Sequence, residues 1–198
     1  MSKLACIICR AGTVLIALAA IPNIFFNGLL YARVDLGLGD TLWGDVFAIA
    51  DFLPGGVWHG LLNGETSGAL EGAMPLLRPA IAALCLVAAT VLLLLAVAVI
   101  SAVSNKRKLV LLLGGLGFLA LTAAYICMSG FEKTVTAPDF SLLDYFGQGF
   151  LQSIFMAVLR PAVLMVRFAG AGAMLYVLLG AVLVWNGAFV VTSAPARK

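Results

Sequence analysis

The chain has 198 residues, of which 63% are hydrophobic and 11% are charged. An average soluble domain has about 25% charged and about 45–50% apolar residues, so a soluble protein of this composition could not cover its surface with polar groups. The net charge of +3 is too small to indicate nucleic acid as a partner. These values predict an integral membrane protein with lipids as its first partners.

Four apolar segments are long enough to cross a bilayer, at about residues 11–32, 79–103, 109–130 and 168–191. At about 1.5 Å per residue, about 20 residues of helix cross about 30 Å of hydrocarbon. Their continuous apolar runs lack the alternation of barrel strands, so the segments are predicted to be helices. The expected fold is an all-α four-transmembrane-helix bundle that forms a single membrane domain over 1–198. The apolar run after Lys3 resembles a secretory signal, but Arg10 interrupts it, so we expect an uncleaved first helix.

Basic residues mark one end of the predicted bundle. They are Lys3, Arg10, Lys106, Arg107, Lys108, Arg197 and Lys198. All nine acidic residues lie instead in two loops at the other end, about 33–78 and 131–167. Because Lys and Arg accumulate on the cytoplasmic side, both termini are predicted to be cytoplasmic and both loops extracytoplasmic, in a plasma or inner membrane.

Each outer loop is predicted to carry an amphipathic interfacial helix. In the first loop, apolar residues recur at helical spacing after Asp40, at Leu42, Val46, Ile49 and Leu53. In the second, residues 139–160 are either interfacial or re-entrant, and Pro161 either ends this segment or kinks a longer fourth helix. The aromatic residues expected at the interface are Trp43, Phe47, Trp58 and Phe146.

A short motif occurs twice, as MPLLRPAI at 74–81 and as MAVLRPAV at 156–163. Each copy precedes a span that would run inward. The pattern predicts a tandem repeat of two-helix units, related as parallel repeats are. The alternative is convergence, because Pro suits a first helical turn and Arg reaches from there to head groups.

Three arginines are candidates for contact with lipid phosphate, an anionic substrate or a carboxylate of a partner: Arg78, Arg160 and Arg167. Arg160 and Arg167 are seven residues apart, which would place them on one helical face. The alternative is that all three only reach the membrane interface or pair with acidic residues of the loops.

Two amides lie beside Pro22 in the first span. Asn23 and Asn27 are four residues apart and would share one face, so we predict a polar contact with another helix. A substrate or ion path at a proline kink is the alternative. Gly114 and Gly117 in the third span are predicted to allow close helix packing.

Cys6 and Cys9 lie at the cytoplasmic end of the first span, where they could be acylated or could simply be small interfacial residues. A metal site would need more ligands, and the single histidine, His59, is predicted on the opposite side of the membrane. We therefore predict neither a metal site nor a cofactor.

Function is predicted only in broad terms. The sequence lacks a nucleophile–base pair, a Walker loop and an HExxH motif, so we expect a protein that is not an enzyme. The leading hypothesis is a non-catalytic subunit of a larger membrane complex, with other membrane subunits as partners. The alternative is a small transporter or lipid-handling protein that uses the outer arginines and the polar face of the first helix. An enzyme acting on lipid head groups ranks third.

Overall fold

The structure, a computed structural model, describes residues 3–35, 41–47, 67–137 and 163–193, with side chains described within 3–31, 78–137 and 167–190. In chain order, its elements are α1 (Lys3–Leu18), α2 (Ala20–Phe26), β1 (Leu30–Asp35), β2 (Thr41–Phe47), α3 (Ser67–Val103), α4 (Arg107–Val135), β3 (Val163–Phe168) and α5 (Gly170–Ser193).

Four helical segments among these are long and apolar enough to cross a membrane, which confirms the four helices predicted from the sequence. They are Lys3–Phe26, Arg78–Val103, Arg107–Val135 and Gly170–Val190. The first begins earlier than predicted, at Lys3. It also ends earlier than predicted, and the fourth begins after Phe168, because a β-strand occupies the residues that were assigned to these two helix ends.

The first of these segments is interrupted near Pro22. Helix α1 ends at Leu18 and α2 begins at Ala20. Proline has no N–H to donate to the carbonyl four residues earlier, here that of Leu18, and its ring crowds that carbonyl. The Ala19 N–H still donates to the Leu15 carbonyl at 3.1 Å, so the helical hydrogen bonding continues up to the break.

The three strands form an antiparallel sheet in the order β2-β1-β3. The prediction of an all-α fold is therefore wrong for these strands. Residues 30–32 belong to β1 and not to the first span. Strand β2 replaces the start of the predicted amphipathic helix, so Trp43 and Phe47 lie on a strand. Thr, Val, Trp and Phe favour strands and Gly44 disfavours a helix, and pairing with β1 decides between the two forms.

The pairing of β1 with β3 continues beyond the two strands. The Ala169 N–H donates to the Leu29 carbonyl at 2.9 Å, and the Ala171 N–H donates to the Gly28 carbonyl at 3.1 Å. These bonds satisfy backbone groups between the strand and the first turn of α5, where an N–H would otherwise lack an acceptor.

The chain divides into two compact units. Unit 1 comprises Met1–Asn23, Leu84–Ala124 and Gly172–Lys198. Its core is built from apolar side chains of α1, α3, α4 and α5, among them Ala17, Val87, Leu94, Val97, Leu121, Leu175, Leu179 and Val182. Unit 2 comprises Ile24–Ala83 and Tyr125–Ala171 and contains the sheet. Its described buried residues are Ile24, Leu29, Ala83, Met128, Phe131, Val135 and Ala171.

Helix α4 packs closely on α5 in unit 1 through two glycines. A Cβ on Gly114 would lie 3.1 Å from Leu183 Cδ2, and one on Gly117 would lie 3.0 Å from Leu179 Cδ2. A Cβ on Gly115 would have no neighbour within 4 Å. The predicted close packing at Gly114 and Gly117 is thus confirmed, and the unpacked Gly115 provides an internal comparison.

Candidate functional site

A buried polar cluster in unit 1 joins α1 to α5. Asn186 is only 2% exposed. Its Nδ2 donates to Thr13 Oγ1 at 3.0 Å and to the Val182 carbonyl at 2.9 Å, and its Oδ1 accepts from Cys9 Sγ at 3.8 Å. Both amide protons and the amide oxygen are therefore engaged. Such complete pairing is what allows an amide to be buried among apolar helices without a large desolvation cost.

Thr13 closes the cluster on the α1 side. Its hydroxyl is 2.8 Å from the Cys9 carbonyl and 3.4 Å from Asn186 Oδ1. A hydroxyl has one proton, so the shorter contact to the carbonyl receives it, while the hydroxyl oxygen accepts from the Asn186 amide. Within the part of the chain that the structure describes, every buried side-chain nitrogen or oxygen has a hydrogen-bond partner.

Trp185 lies beside this cluster and fixes α5 against α1. Its Nε1 donates to the Cys9 carbonyl at 3.0 Å. The indole rests where Gly12 leaves room, because a Cβ at Gly12 would lie 2.8 Å from both Cε2 and Nε1 of Trp185. The ring of Phe189 packs edge-on against the indole, with ring centroids 5.3 Å apart. Gly12 is therefore required for this contact, which predicts that a larger residue there displaces Trp185.

Two arginines bind carbonyls close to helix ends. Arg10 of α1 donates from Nε to the Ser101 carbonyl at 2.8 Å and from Nη2 to the Ala102 carbonyl, both in the last turn of α3. Carbonyls in a last turn have no partner within the helix and carry partial negative charge. Arg10 thus caps α3, a structural role that was not predicted from the sequence.

Arg107 makes a similar contact near the end of α5. Its Nη1 donates to the Phe189 carbonyl at 3.2 Å, its Nε donates to Asn105 Oδ1 at 3.2 Å, and its guanidinium lies 5.4 Å from the centre of the Phe189 ring. A guanidinium over an aromatic face is attracted by the ring quadrupole. Arg107 therefore ties the turn between α3 and α4 to α5.

These contacts border an open pocket, which we call the basic pocket. It is lined by Cys9, Arg10, Thr13, Ser101, Ser104, Asn105, Lys106, Arg107, Val110 and Asn186. Its enclosed part has room for about one water molecule, and the rest is open to the surroundings. Three of the lining residues are cationic and none is acidic. The protons of the Thr13 and Ser104 hydroxyls and of the Asn186 amide are already donated within the chain, whereas the Lys106 ammonium is exposed.

The structure describes some of the residues that were predicted as sites. Arg78 is exposed within α3. Arg167 lies in β3, paired with Tyr31, and its guanidinium is 5.3 Å from the Tyr31 ring centre. The predicted helical face shared by Arg160 and Arg167 is therefore wrong, because Arg167 is on a strand. Arg160, Trp58, His59, Phe146 and the segment 139–160 lie outside the described residues.

The two predicted amides differ in burial. Asn23 is buried in α2 at 6% exposure, whereas Asn27 is exposed and follows the last residue of α2, Phe26. The two do not share a helical face, because the helix ends between them. The predicted polar contact with another helix stays a prediction for Asn23.

The two cysteines also differ. Cys9 is 1% exposed and its thiol faces the Asn186 amide, so a fatty acyl chain cannot be attached there without opening the α1–α5 contact. Cys6 is half-buried, and acylation there stays a prediction. Among the described residues, no group of three or more His, Cys, Asp or Glu side chains is placed to hold a metal ion.

Sequence reasoning missed Gly12, Thr13, Trp185 and Asn186. One signal was present, since Asn186 is an amide within a long apolar span and such residues usually face a partner within the protein. Its partners lie 173 and 177 residues earlier in the chain, and no periodicity within either span identifies them.

Comparison of the chain with protein-family models, with curated proteins and with solved structures finds no match.

Proposed function

We propose that this chain is an integral membrane protein with both termini in the cytoplasm that acts as a non-catalytic subunit of a larger membrane complex. The observation that carries the proposal is the amount of apolar helix surface left open. Only 22% to 33% of the most apolar stretch of each candidate span is buried within the chain. The rest must be covered by lipid or by other proteins, because water does not solvate it favourably.

The distribution of charge supports the proposed orientation. Unit 1 contains seven Lys or Arg residues and no Asp or Glu, whereas all nine acidic residues fall within the ranges of unit 2. Separation of this kind along the sequence is expected when the segments rich in Lys and Arg are retained in the cytoplasm.

Two glycines of α5 support contact with further helices. A Cβ on Gly180 or on Gly187 would have no neighbour within 4 Å, so neither glycine is needed for packing inside this chain. They are seven positions apart, which places them on one face of the helix. Small residues let a second helix approach closely in a membrane, where association depends on packing more than on hydrophobic burial.

Photo-crosslinking in the native membrane tests the subunit role. A photoreactive residue replaces one exposed side chain on each span, namely Leu15, Leu92, Leu119 or Val184, which are 66% to 73% exposed. Leu94, which is fully buried in α3, is the matched control position. We expect at least one exposed position to give a discrete adduct with a different membrane protein, and Leu94 to give none. Adducts with lipid alone at all four positions would overturn the proposal.

The alternative is a small transporter or lipid-handling protein. The observation that favours it is the interruption of the first span at Ala19, four residues before the buried Asn23. Helix breaks inside a membrane often lie beside a binding site, because unpaired backbone groups become available there. Flux and lipid-transfer assays on reconstituted wild type and Asn23→Ala test this function. Equal rates in the two proteins, or no activity in either, would count against it.

A further inference from the structure

Among the described residues of unit 1, three buried side chains carry an aliphatic hydroxyl, and they differ in what they bind. Thr13 and Thr90 donate to the carbonyl four residues earlier in their own helices, at 2.8 and 2.9 Å. Ser101 is 4% exposed. Its carbonyl accepts from Arg10, but its hydroxyl bonds to no group of the protein within the described ranges. So deep a hydroxyl costs free energy unless something else bonds it.

The basic pocket is where such a partner can reach Ser101. The side-chain nitrogens and oxygens that are fully enclosed by the described part of the protein all have hydrogen-bond partners. The Ser101 hydroxyl has none, so its oxygen belongs to the small exposed fraction of this residue. Ser101 lines the basic pocket. The hydroxyl therefore opens into the pocket, which makes the pocket the place to look for its partner.

The size and the lining of the pocket identify the ligand class. The enclosed part has room for about one water molecule, and a water held in this way makes about 2–4 hydrogen bonds. Arg10 supplies donors, because a guanidinium has about five N–H groups and the bonds to α3 use only some of them. Ser104 supplies an acceptor, because its hydroxyl proton goes to the Ile100 carbonyl and its oxygen keeps lone pairs. The Ser101 hydroxyl both donates and accepts.

We propose that the enclosed part of the basic pocket is a binding site for one ordered water molecule, held by the Ser101 hydroxyl and by N–H groups of Arg10. The water joins α1 to α3 in addition to the direct bonds from Arg10 to the carbonyls of Ser101 and Ala102. Such a bridge is nearly as favourable as a direct hydrogen bond. The site requires neither an unpaired charge nor the proposed subunit role, so a negative crosslinking result would leave it unaffected.

Two buried valines make the site observable, because their side chains have no exchangeable protons. Val110 is 2% exposed and lines the pocket, whereas Val97 is fully buried and does not line it. The full chain is labelled with ¹³C-valine and reconstituted in lipid vesicles, and solid-state NMR measures magnetisation transfer from water protons to the valine methyl groups. We expect the initial transfer rate to be about threefold or more higher for Val110, because only Val110 lies beside a bound water. Equal rates in the wild type would overturn the proposal.

Ser101→Ala distinguishes a bound water from water that fills an open pocket. The variant removes the hydroxyl and leaves more space, so we expect the transfer rate of Val110 to fall to near that of Val97. Ser129→Ala is the matched control, because Ser129 is an exposed serine of α4 that does not line the pocket. It should leave the Val110 rate unchanged. A Val110 rate that stays the same or rises in Ser101→Ala would contradict a site built on this hydroxyl.

Trp185 reports whether the helices of Ser101→Ala still pack as in the wild type. Replacing Trp43 and Trp58 by Phe leaves Trp185 as the single tryptophan of the chain. Its indole donates to the Cys9 carbonyl beside the pocket, so an unchanged emission spectrum indicates an intact contact between α1 and α5. If Ser101→Ala does not fold, the comparison of Val110 with Val97 in the wild type decides the proposal by itself.

Discussion

The contact between Gly12 and Trp185 predicts a specific cost for adding one methyl group. In Gly12→Ala, the new Cβ would lie 2.8 Å from the Trp185 indole, a distance that real Cβ atoms essentially never adopt. The indole must move, and its 3.0 Å hydrogen bond to the Cys9 carbonyl then lengthens or breaks. The rigid ring cannot relieve the clash by rotating a flexible end, as a leucine could.

The magnitude follows from three effects. Overpacking costs about 1–3 kcal/mol. Losing the hydrogen bond costs about 0.5–1.5 kcal/mol. Alanine in a helix interior recovers about 0.5–1 kcal/mol relative to glycine. We therefore expect Gly12→Ala to lower the free energy of unfolding by about 0.5–4 kcal/mol, where a solvent-exposed Gly→Ala change in a helix raises it.

Reversible unfolding in mixed micelles, followed by Trp185 fluorescence in the background without Trp43 and Trp58, measures this free energy. Gly115→Ala is the matched control, because its Cβ would meet no atom within 4 Å. A double-mutant cycle with Trp185→Leu, followed by circular dichroism, isolates the contact. The cost of Gly12→Ala should shrink by at least half when the indole is absent. The same cost in both backgrounds would refute the reasoning.

Three further predictions follow from the contacts between helices. Asn186→Leu should lower the free energy of unfolding by about 1–2 kcal/mol in the same assay, whereas Thr134→Val, which removes only a hydroxyl bonded within its own helix, should change it by less than about 0.5 kcal/mol. Arg10→Gln should speed hydrogen exchange of amides at the end of α3, because the guanidinium caps that end. Such a charge stabilises a helix end by about 0.3–2 kcal/mol. Unchanged exchange rates at this end would contradict the cap. Gly117→Ile should destabilise the α4–α5 contact, whereas Gly115→Ile should not. A lower unfolding temperature for Gly115→Ile than for Gly117→Ile would exclude the packing described.

The spans were predictable because their signal is local. About 20 consecutive apolar residues identify a membrane helix without knowledge of its neighbours. The break near Pro22 was also predictable, since proline removes one hydrogen bond of its own helix wherever it occurs. Gly114 and Gly117 were identified correctly for the same reason, because small residues within an apolar helix point to close packing.

The strands were not predictable from the same reasoning. Leu30 and Tyr31 continue an apolar run that reads as helix, and the turn to β1 is stabilised by pairing with β3, which lies more than 130 residues later. In Thr41–Phe47 the spacing of Leu42 and Val46 suggested a helix, but a few apolar residues fit either period over so short a segment. Long-range pairing of backbone groups decides such cases.

The buried cluster shows a second limit of sequence reasoning. Lysines and arginines at the basic end were interpreted through membrane orientation, which treats them as interchangeable charges. The structure separates them by partner. Arg10 binds the end of α3, Arg107 binds a carbonyl of α5, and Lys106 is exposed beside them. Which of these cations serves packing and which is available for a ligand depends on the positions of helices distant in sequence.

The arrangement of the spans across the membrane is the central claim, and accessibility of single cysteines tests it most directly. In a background without the four native cysteines, Asn105→Cys marks the turn between α3 and α4, and Lys133→Cys marks the opposite end of α4. A membrane-impermeant maleimide added to intact cells should label Lys133→Cys at once and Asn105→Cys only after permeabilisation. Labelling of Asn105→Cys in intact cells, or of both positions equally, would contradict the account.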